Sequence, residues 1–301
     1  MVFGRGAVYF DEVARRGSIR RAAEHLHIVP SAVNRQIIQL EESLGVPLFE
    51  RLPQGMRLTA AGEMLIDSVR RWRCDLRRVQ SHMDDLKGLR RGEVSIALVD
   101  GAADFFAEST AGFRSRYPAI AYRLQTRASP AVADLVLSGE YELGLMFNPP
   151  RNNALRTEAK LSYQLGIVTR RDHPLARRRT TSLAECSKYP LVIPDETMSL
   201  RRTLDELWDK NIGGALPYSA VASNVGIMKS LVKNGFGIGI LTSLDAFTEI
   251  RAGELAFISL SEKKIPPSVL CIVSVSGRIL SVPAHTLLRH LSQQLSEVTC
   301  T

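Results

Sequence analysis

The sequence predicts an α/β protein with a small all-α head at its N-terminus, the head built as a winged helix-turn-helix. Three observations predict this. Over residues 18–44 apolar positions recur at helical spacing on either side of a Val29-Pro30 break. Over residues 65–86 the apolar steps alternate four and three. From Glu93 onward short apolar runs alternate with helical stretches, the pattern of strands flanked by helices.

The stretch 18–44 reads as two short helices. Ser18 is a good N-cap, because its hydroxyl can accept from an orphan N–H of the first turn. Ala22, Ala23 and Leu26 share one face, and small residues there let a second helix approach closely. Val29-Pro30 is expected to end the first helix, since a residue before proline is pushed out of the α region, and Ser31 to recap the chain. Val33, Ile37, Leu40 and Leu44 then form the inner stripe of the second helix. Its outer face carries Ser31, Asn34, Arg35 and Gln39, with Gln36 near the edge. Asn and Gln pair bidentately with adenine, Arg with guanine, and Ser with phosphates or base edges, so this face has the chemistry of a recognition helix. An ordinary surface helix of a bundle is also polar outside, and spacing alone leaves both readings open.

A short helix over 6–14, with Val8, Phe10 and Val13, would brace the pair. Gly45 is placed to cap the second helix. Residues 46–51 read as a strand, Gln54-Gly55 as a turn and 56–58 as a returning strand. This small wing carries Arg51 and Arg57, to which we assign phosphate contacts; a hairpin that only packs on the helices has the same pattern. Thr59 then caps a helix running to about residue 89. Its apolar positions Leu65, Val69, Trp72, Leu76, Val79, Met83 and Leu86 form an a/d seam, with Arg70, Arg71, Arg73, Arg77 and Arg78 lying off it. A helix this long exceeds what its own head covers, so the expected partner is the same helix of a second subunit. Two-fold pairing would set two recognition helices on two half-sites. A helix lying on its own domain is the alternative, and the 3.5-residue period argues against it.

With 301 residues the chain has room for two or three domains, and a hydrophobic fraction of 45% is ordinary for a globular protein. No apolar run approaches a membrane span, and Asp11 and Glu12 come too early for a signal peptide. Cys74, Cys186, Cys271 and Cys300 are scattered, without zinc or thioredoxin spacing; they read as reduced thiols of a cytoplasmic protein. Nothing in the sequence places Cys186 beside Cys271 as a redox pair. The net charge is +8; residues 1–91 hold 16 basic and 11 acidic side chains, and residues 92–301 hold 23 and 20. More than half of the excess thus sits in the first third of the chain, as suits a DNA-binding head on a near-neutral body.

Signals for catalysis, metal and cofactor all give way to simpler readings. Gly235, Gly237 and Gly239 follow a helix and precede a strand, the reverse of a dinucleotide fingerprint. His25 and His27 point to different helix faces, and His173 sits before Pro174 in a basic loop. No nucleophile elbow, zinc-protease run or phosphate loop occurs. We therefore expect no enzyme, no catalytic residue, no cofactor and no metal. A binding protein without DNA function would lack the helix pair and carry a secretion signal; an α/β enzyme would need one of the missing constellations.

Residues 88–92 form a hinge into the second region. Strands are expected at 94–99, 120–126, 141–147, 165–169, 191–193, 220–222, 238–241 and 269–275, and helices at 103–116, 130–138, 224–234 and 284–298. This alternation implies a parallel sheet flanked by helices and is too long for one sheet. Two α/β subdomains with a cleft between them are expected, the chain crossing near 163–167 and 265–269. The divisions are then 1–58 for the head, 59–91 for the linker helix and 92–301 for the second region, with subdomain I at about 92–164 and 267–301 and subdomain II at about 165–266.

The run Phe10-x-x-Val13, Gly17-Ser18, Ala22-Ala23, Leu26, Pro30-Ser31-Ala32-Val33, Arg35-Gln36-Ile37, Leu40-Glu41, Leu44-Gly45, Leu48-Phe49-x-Arg51 and Leu58-Thr59-x-Ala61-Gly62 resembles the DNA-binding domain of LysR-type transcriptional regulators. Asn34 departs from the serine that the family usually carries. Looser fragments follow in order: Arg116-Tyr117-Pro118, the run 137–143, His173-Pro174-Leu175-Ala176 and the run 235–241. They resemble the family's effector-binding domain, whose two Rossmann-like subdomains are like a periplasmic binding protein. The resemblance implies a cytoplasmic regulator on double-stranded promoter DNA, controlled by a small-molecule effector and assembled as a homodimer or homotetramer; it admits RNA polymerase as a further partner. DNA contacts are expected from Ser18, Arg20, Ser31, Asn34, Arg35, Gln36, Gln39, Arg51 and Arg57.

In open α/β sheets ligands bind beyond the C-terminal strand ends, where helix N-termini offer free N–H groups. Asp100 and Ala102 follow the first strand, Arg127 and Ser129 the second, and Phe147 and Asn148 end the strand before the crossover. Thr197 and Ser199 open one later helix, Ser223 and Asn224 another. Arg127 and the helix N-termini favour a small carboxylate. Asp100 stands where the family more often has a small hydroxyl or apolar residue, which admits an amine and hence an amino-acid-like ligand.

Overall fold

The computed structural model describes residues 4–86 and 92–298; most of the 88–92 hinge, Cys300 and the side chain of Leu86 lie outside the described residues. The chain forms two compact units, a head that runs to Val79 and an α/β unit.

In the head, α1 (Arg5–Arg16) ends at Gly17, whose φ of 62° needs a residue without a Cβ. In α2 (Ile19–Leu26) Ser18 Oγ accepts from Arg21 N, as expected of the cap. The break that follows differs from the expectation. His27, in the left-handed region at φ 54°, closes α2, and α3 (Pro30–Leu44) begins at the proline itself. Proline suits the first helical position because its missing N–H would have had no partner there. Val29 is the N-cap, so Ser31 lies inside the first turn and does not recap the chain. Phe10, Val13, Ala22, Ala23, Val33 and Ile37 are fully buried together, while Leu44 at the end of the stripe is half exposed.

The wing pairs β1 (Phe49–Leu52) with β2 (Gly55–Leu58) in antiparallel register, Phe49 opposite Leu58. The strand starts at Phe49 rather than 46 because the N–H groups of Leu48 and Phe49 donate to Glu41 Oε1 at 2.7 and 3.1 Å. That carboxylate pins the segment to α3. The linker helix α4 (Ala60–Leu86) opens on Thr59, whose Oγ1 accepts from Gly62 N at 3.1 Å.

The a/d seam is only partly available to a partner. Val69 is 1% exposed within the head core, Ile66 joins it, and Leu65 packs partly against it. Asp11 of α1, itself buried, pairs with Arg70 at 3.7 Å and with Arg73 of α4. The first turns of α4 therefore fold back on the head, which corrects the assignment of Leu65 and Val69 to an interface. Beyond them Trp72, Val79 and Met83 are about half exposed, and Leu76 is half-buried.

The α/β unit runs β3 (Gly92–Leu98), α5 (Ala103–Arg116), β4 (Ile120–Thr126), α6 (Ser129–Leu137), β5 (Leu143–Phe147) and β6 (Leu155–Tyr163), then crosses to β7 (Leu165–Arg170). It continues through β8 (Thr180–Thr181), α7 (Leu183–Cys186), β9 (Leu191–Pro194), α8 (Ser199–Asn211), β10 (Ala220–Ala222), α9 (Val225–Lys233), β11 (Ile238–Thr242), α10 (Phe247–Arg251) and β12 (Leu255–Leu260). β13 (Ser268–Val275) and α11 (Val282–Val298) return to the first subdomain.

The strand orders are β4-β3-β5-β13-β6 in one sheet and β10-β9-β11-β7-β12-β8 in the other. These sheets are mixed, not purely parallel. β13 runs antiparallel to both β5 and β6, and β7 antiparallel to both β11 and β12. The strand that carries the chain out of each sheet lies beside the strand that brings it back, and the two must run in opposite directions. The remaining neighbours, such as β3 with β4 and β5, are parallel crossovers packed by helices. One core gathers Ile96, Leu145, Met146 and Ile272 with Phe105, Phe113, Leu287 and Leu291; the other gathers Ile167, Val192, Ile193 and Ile240 with Leu204, Trp208, Met228 and Val232.

Candidate DNA interface and effector cleft

The exposed polar face of α3 is built as its spacing requires. Ser31, Arg35 and Gln39 are exposed, and Asn34 and Gln36 are half exposed beside them. Gln36 Nε2 donates to Gln39 Oε1 at 2.6 Å, which orients both amides along one edge. Arg51 reaches from the wing to α3, its Nη2 donating to Asn34 Oδ1 at 3.0 Å. Periodicity carries no signal for this cross-element bond. Arg57 pairs with Glu50 across the hairpin, and Arg20 with Glu24 along α2. Exposed pairs of this kind are worth little, so either arginine can turn to a phosphate at small cost. Ser18 is engaged as the α2 cap.

The cleft is a cavity of ≈ 220 Å³ at the C-terminal strand ends of the two sheets. Eight expected residues line it: Asp100, Arg127, Ser129, Phe147, Thr197, Ser199, Ser223 and Asn224. Two expected residues do not. Ala102 is fully buried in the first core, because the 3-10 turn Asp100–Ala102 points it inward. Asn148, at φ 46°, spends its side chain on the sheet, Oδ1 accepting from Val269 N at 3.0 Å.

Other lining residues were missed: Gly101, Met198, Thr242, Asp245 and Ser268 among them. Thr242 ends β11 and Asp245 lies just beyond it, so the strand-end rule applied to the other strands would have found them. Ser268 begins the returning strand and has no such signal.

Two carboxylates define the floor. Asp100 Oδ2 accepts from Val225 N at 2.6 Å, so a residue of one subdomain caps α9 of the other. Asn224 completes that cap by accepting from Ile227 N at 2.9 Å. Asp245 Oδ2 accepts from both Thr242 N and Thr242 Oγ1 at 2.7 Å. Burial pushes Asp245 up to about 6; the two Thr242 bonds and Lys229 oppose the rise, and Asp100 adds to it. Behind the floor Lys229 joins Asp104 of α5 to Glu249 of α10. Burial works against its charge, and the two carboxylates more than offset this, holding Lys229 above the usual lysine range. Arg127 is exposed at the rim, its Nη1 donating to Thr126 O at 2.9 Å.

Among the described residues no group of three or more potential ligands could hold a metal ion, and no helix is long and apolar enough to cross a membrane. Cys186 and Cys271 sit in different cores. Burial pushes the Cys186 thiol up to about 12 and raises Cys271 as well, which disfavours the thiolate form of both.

Residues 5–63 match the family described as bacterial regulatory helix-turn-helix protein, lysR family, and residues 87–296 match the LysR substrate binding domain. The RuBisCO operon transcriptional regulator of Allochromatium vinosum is 31% identical over 233 residues, 77% of each chain. The structure of full-length CbnR with its target DNA shares the fold with a TM-score of 0.67 at 20% identity, covering 96% of this chain and 99% of that one. The regulatory domain of Synechocystis CcmR, in complex with 2-PG, matches with a TM-score of 0.57 at 19% identity, covering 67% of this chain and 96% of that one. The similar proteins are transcriptional regulators, not enzymes. The chain therefore belongs to the LysR family of transcriptional regulators, with a helix-turn-helix head and an effector-binding α/β domain.

Proposed function

We propose that the chain reads double-stranded promoter DNA with the exposed face of α3 and the wing, and that a small organic acid in the cleft controls it. Residues 1–58 do the reading, 59–91 pair two subunits, and 92–301 bind the effector. Arg35, Asn34, Gln36 and Gln39 address base edges; Ser18, Arg20, Ser31, Arg51 and Arg57 address the backbone. The half-exposed stripe Trp72–Leu76–Val79–Met83 supports the pairing, and two such dimers would give a tetramer.

The observation that carries the effector reading is the convergence of strand ends and the openings of α6, α8 and α9 on one cavity. The openings of α6 and α8 present N–H groups to an acid, while that of α9 is already taken by Asp100. A related domain, that of CcmR, holds 2-PG. The test is calorimetry on the full chain with 2-PG and a panel of small organic acids, repeated with Ser129→Ala and Arg127→Ala. Weaker binding in both variants is expected. An acid that binds both as tightly as it binds the wild type would place the site elsewhere.

A further inference from the structure

Resting on the cleft reading above, we propose that the cleft floor is an ammonium subsite: Asp245, with Asp100 beside it, takes the protonated amine of a small amino acid whose carboxylate lies toward Arg127 and the opening of α8. The effector is then an amino acid and not a simple carboxylate.

Asp245 is 4% exposed and lines the cavity. Its Oδ2 is taken by Thr242, while Oδ1 has no hydrogen-bond partner among the described residues. Facing the cavity without a protein donor, that oxygen is free to accept from the N–H groups of a ligand. Gly101 gives this carboxylate its place, since a Cβ there would clash with Asp245 Oδ1.

The second argument concerns where an acid can go. Of the helices opening on the cavity, α9 already carries a carboxylate, that of Asp100 on Val225 N. An incoming carboxylate cannot share that N–H, and it would meet Asp100 and Asp245 together. At the start of α8 the Asp195 carboxylate accepts from Thr197 N at 2.9 Å and Thr197 Oγ1 at 2.6 Å, ahead of the first helical turn. The N-cap of α8 is Met198, which offers no side-chain cap, and Thr197 to Leu200 line the cavity.

The third argument is the charge layout. Lys229 is held between Asp104 and Glu249, and so is spoken for. That leaves the floor negative through Asp100 and Asp245 while Arg127 stands positive at the rim. An acid and an amine on one small molecule match this polarity; an acid alone opposes half of it. Because Asp245 is pushed up to about 6, the subsite is fully charged only above that pH, and amine binding should strengthen as pH rises through it. Asp100 and Lys229 are the charged groups that act on it, with Asp104 and Glu249 held on Lys229, Arg127 at the rim and Asp195 bonded to Thr197.

The experiment is calorimetry on the full chain near neutral pH with matched pairs: glycine and acetate, alanine and propionate, aspartate and succinate, glutamate and glutarate. At least one amino acid should bind about tenfold more tightly than its deaminated partner. That preference should largely vanish in Asp245→Asn, whose amide oxygen still accepts from Thr242. Should that variant fail to fold, the wild type serves: its preference must shrink below pH about 6, and it must shrink in Asp100→Asn. Equal binding of the pairs, or a preference unchanged by pH and by substitution, overturns the subsite. Binding of only deaminated acids or of 2-PG overturns it while leaving the cleft reading intact. Binding of none of these acids overturns both.

Discussion

Arg51 of the wing donates to Asn34 Oδ1 of the recognition helix at 3.0 Å. Reading an adenine bidentately uses both ends of an asparagine amide, so Asn34 can do so only when Arg51 lets go. We propose a phosphate of any duplex as the exchange partner, so that the Arg51 contact itself carries no sequence information. Arg51→Ala should therefore weaken specific and unrelated duplexes by similar factors and reduce the salt slope by about one. Fluorescence titrations over a salt series check this, and a loss confined to one sequence would contradict it.

Arg35 is exposed on the face of α3 and close to its start. Arg35→Ala should weaken operator binding by about 1–3 kcal/mol and relax preference at one base pair. Competition binding with single-base operator variants is the measurement. Unchanged operator affinity would remove Arg35 from the reading set.

The two ends of the α4 stripe should respond differently. Val69 is inside the head, so Val69→Ala should cost on the order of 1–3 kcal/mol of head stability and leave the assembly intact. Leu76→Asp would set a charge on the half-buried stripe and should shift sedimentation toward smaller species. Dissociation by Val69→Ala alone, or none by Leu76→Asp, would move the interface elsewhere.

Asp245 makes stability depend on pH with a definite sign. Its native value is raised from 3.8 to about 6 by burial, so between the two the native state holds the proton that the unfolded chain has released. Stability should fall as pH rises from about 4 to about 6 and stay lower above, by up to about 3 kcal/mol. Denaturation of the wild type and Asp245→Asn across that window checks it; parallel curves would show that Asp245 is not the source.

Much of this was readable in the residues, for reasons particular to each part. β10 and α5 carry strong local signals, an apolar run and a run closed by Tyr117-Pro118, and their bounds emerged as expected. β6 mixes exposed and half-buried residues without regular alternation along one sheet edge, and that weak pattern hid it. The site divides likewise. Residues at helix openings follow a positional rule, and eight of the ten named from it line the cleft. The bond from Asp100 to Val225 joins residues 125 apart, and the space over Gly101 depends on a side chain from the other subdomain. Neither leaves a trace in local spacing. The fate of Val69 was misread because an a/d period says that a stripe is apolar, not which surface covers it.

The double crossing between the subdomains has a consequence for how the chain is made. All strands of the second sheet lie between residues 165 and 260, one uninterrupted stretch. In the first sheet β13 sits between β5 and β6, and β6 has no other neighbour. As the chain leaves the ribosome the second subdomain can close on itself while the first still lacks an inner strand. β6 then waits as an unpaired edge until residues 268–275 emerge, close to the C-terminus. Nascent chains truncated before that strand should expose this edge, so closure of the first sheet waits on residues 268–275.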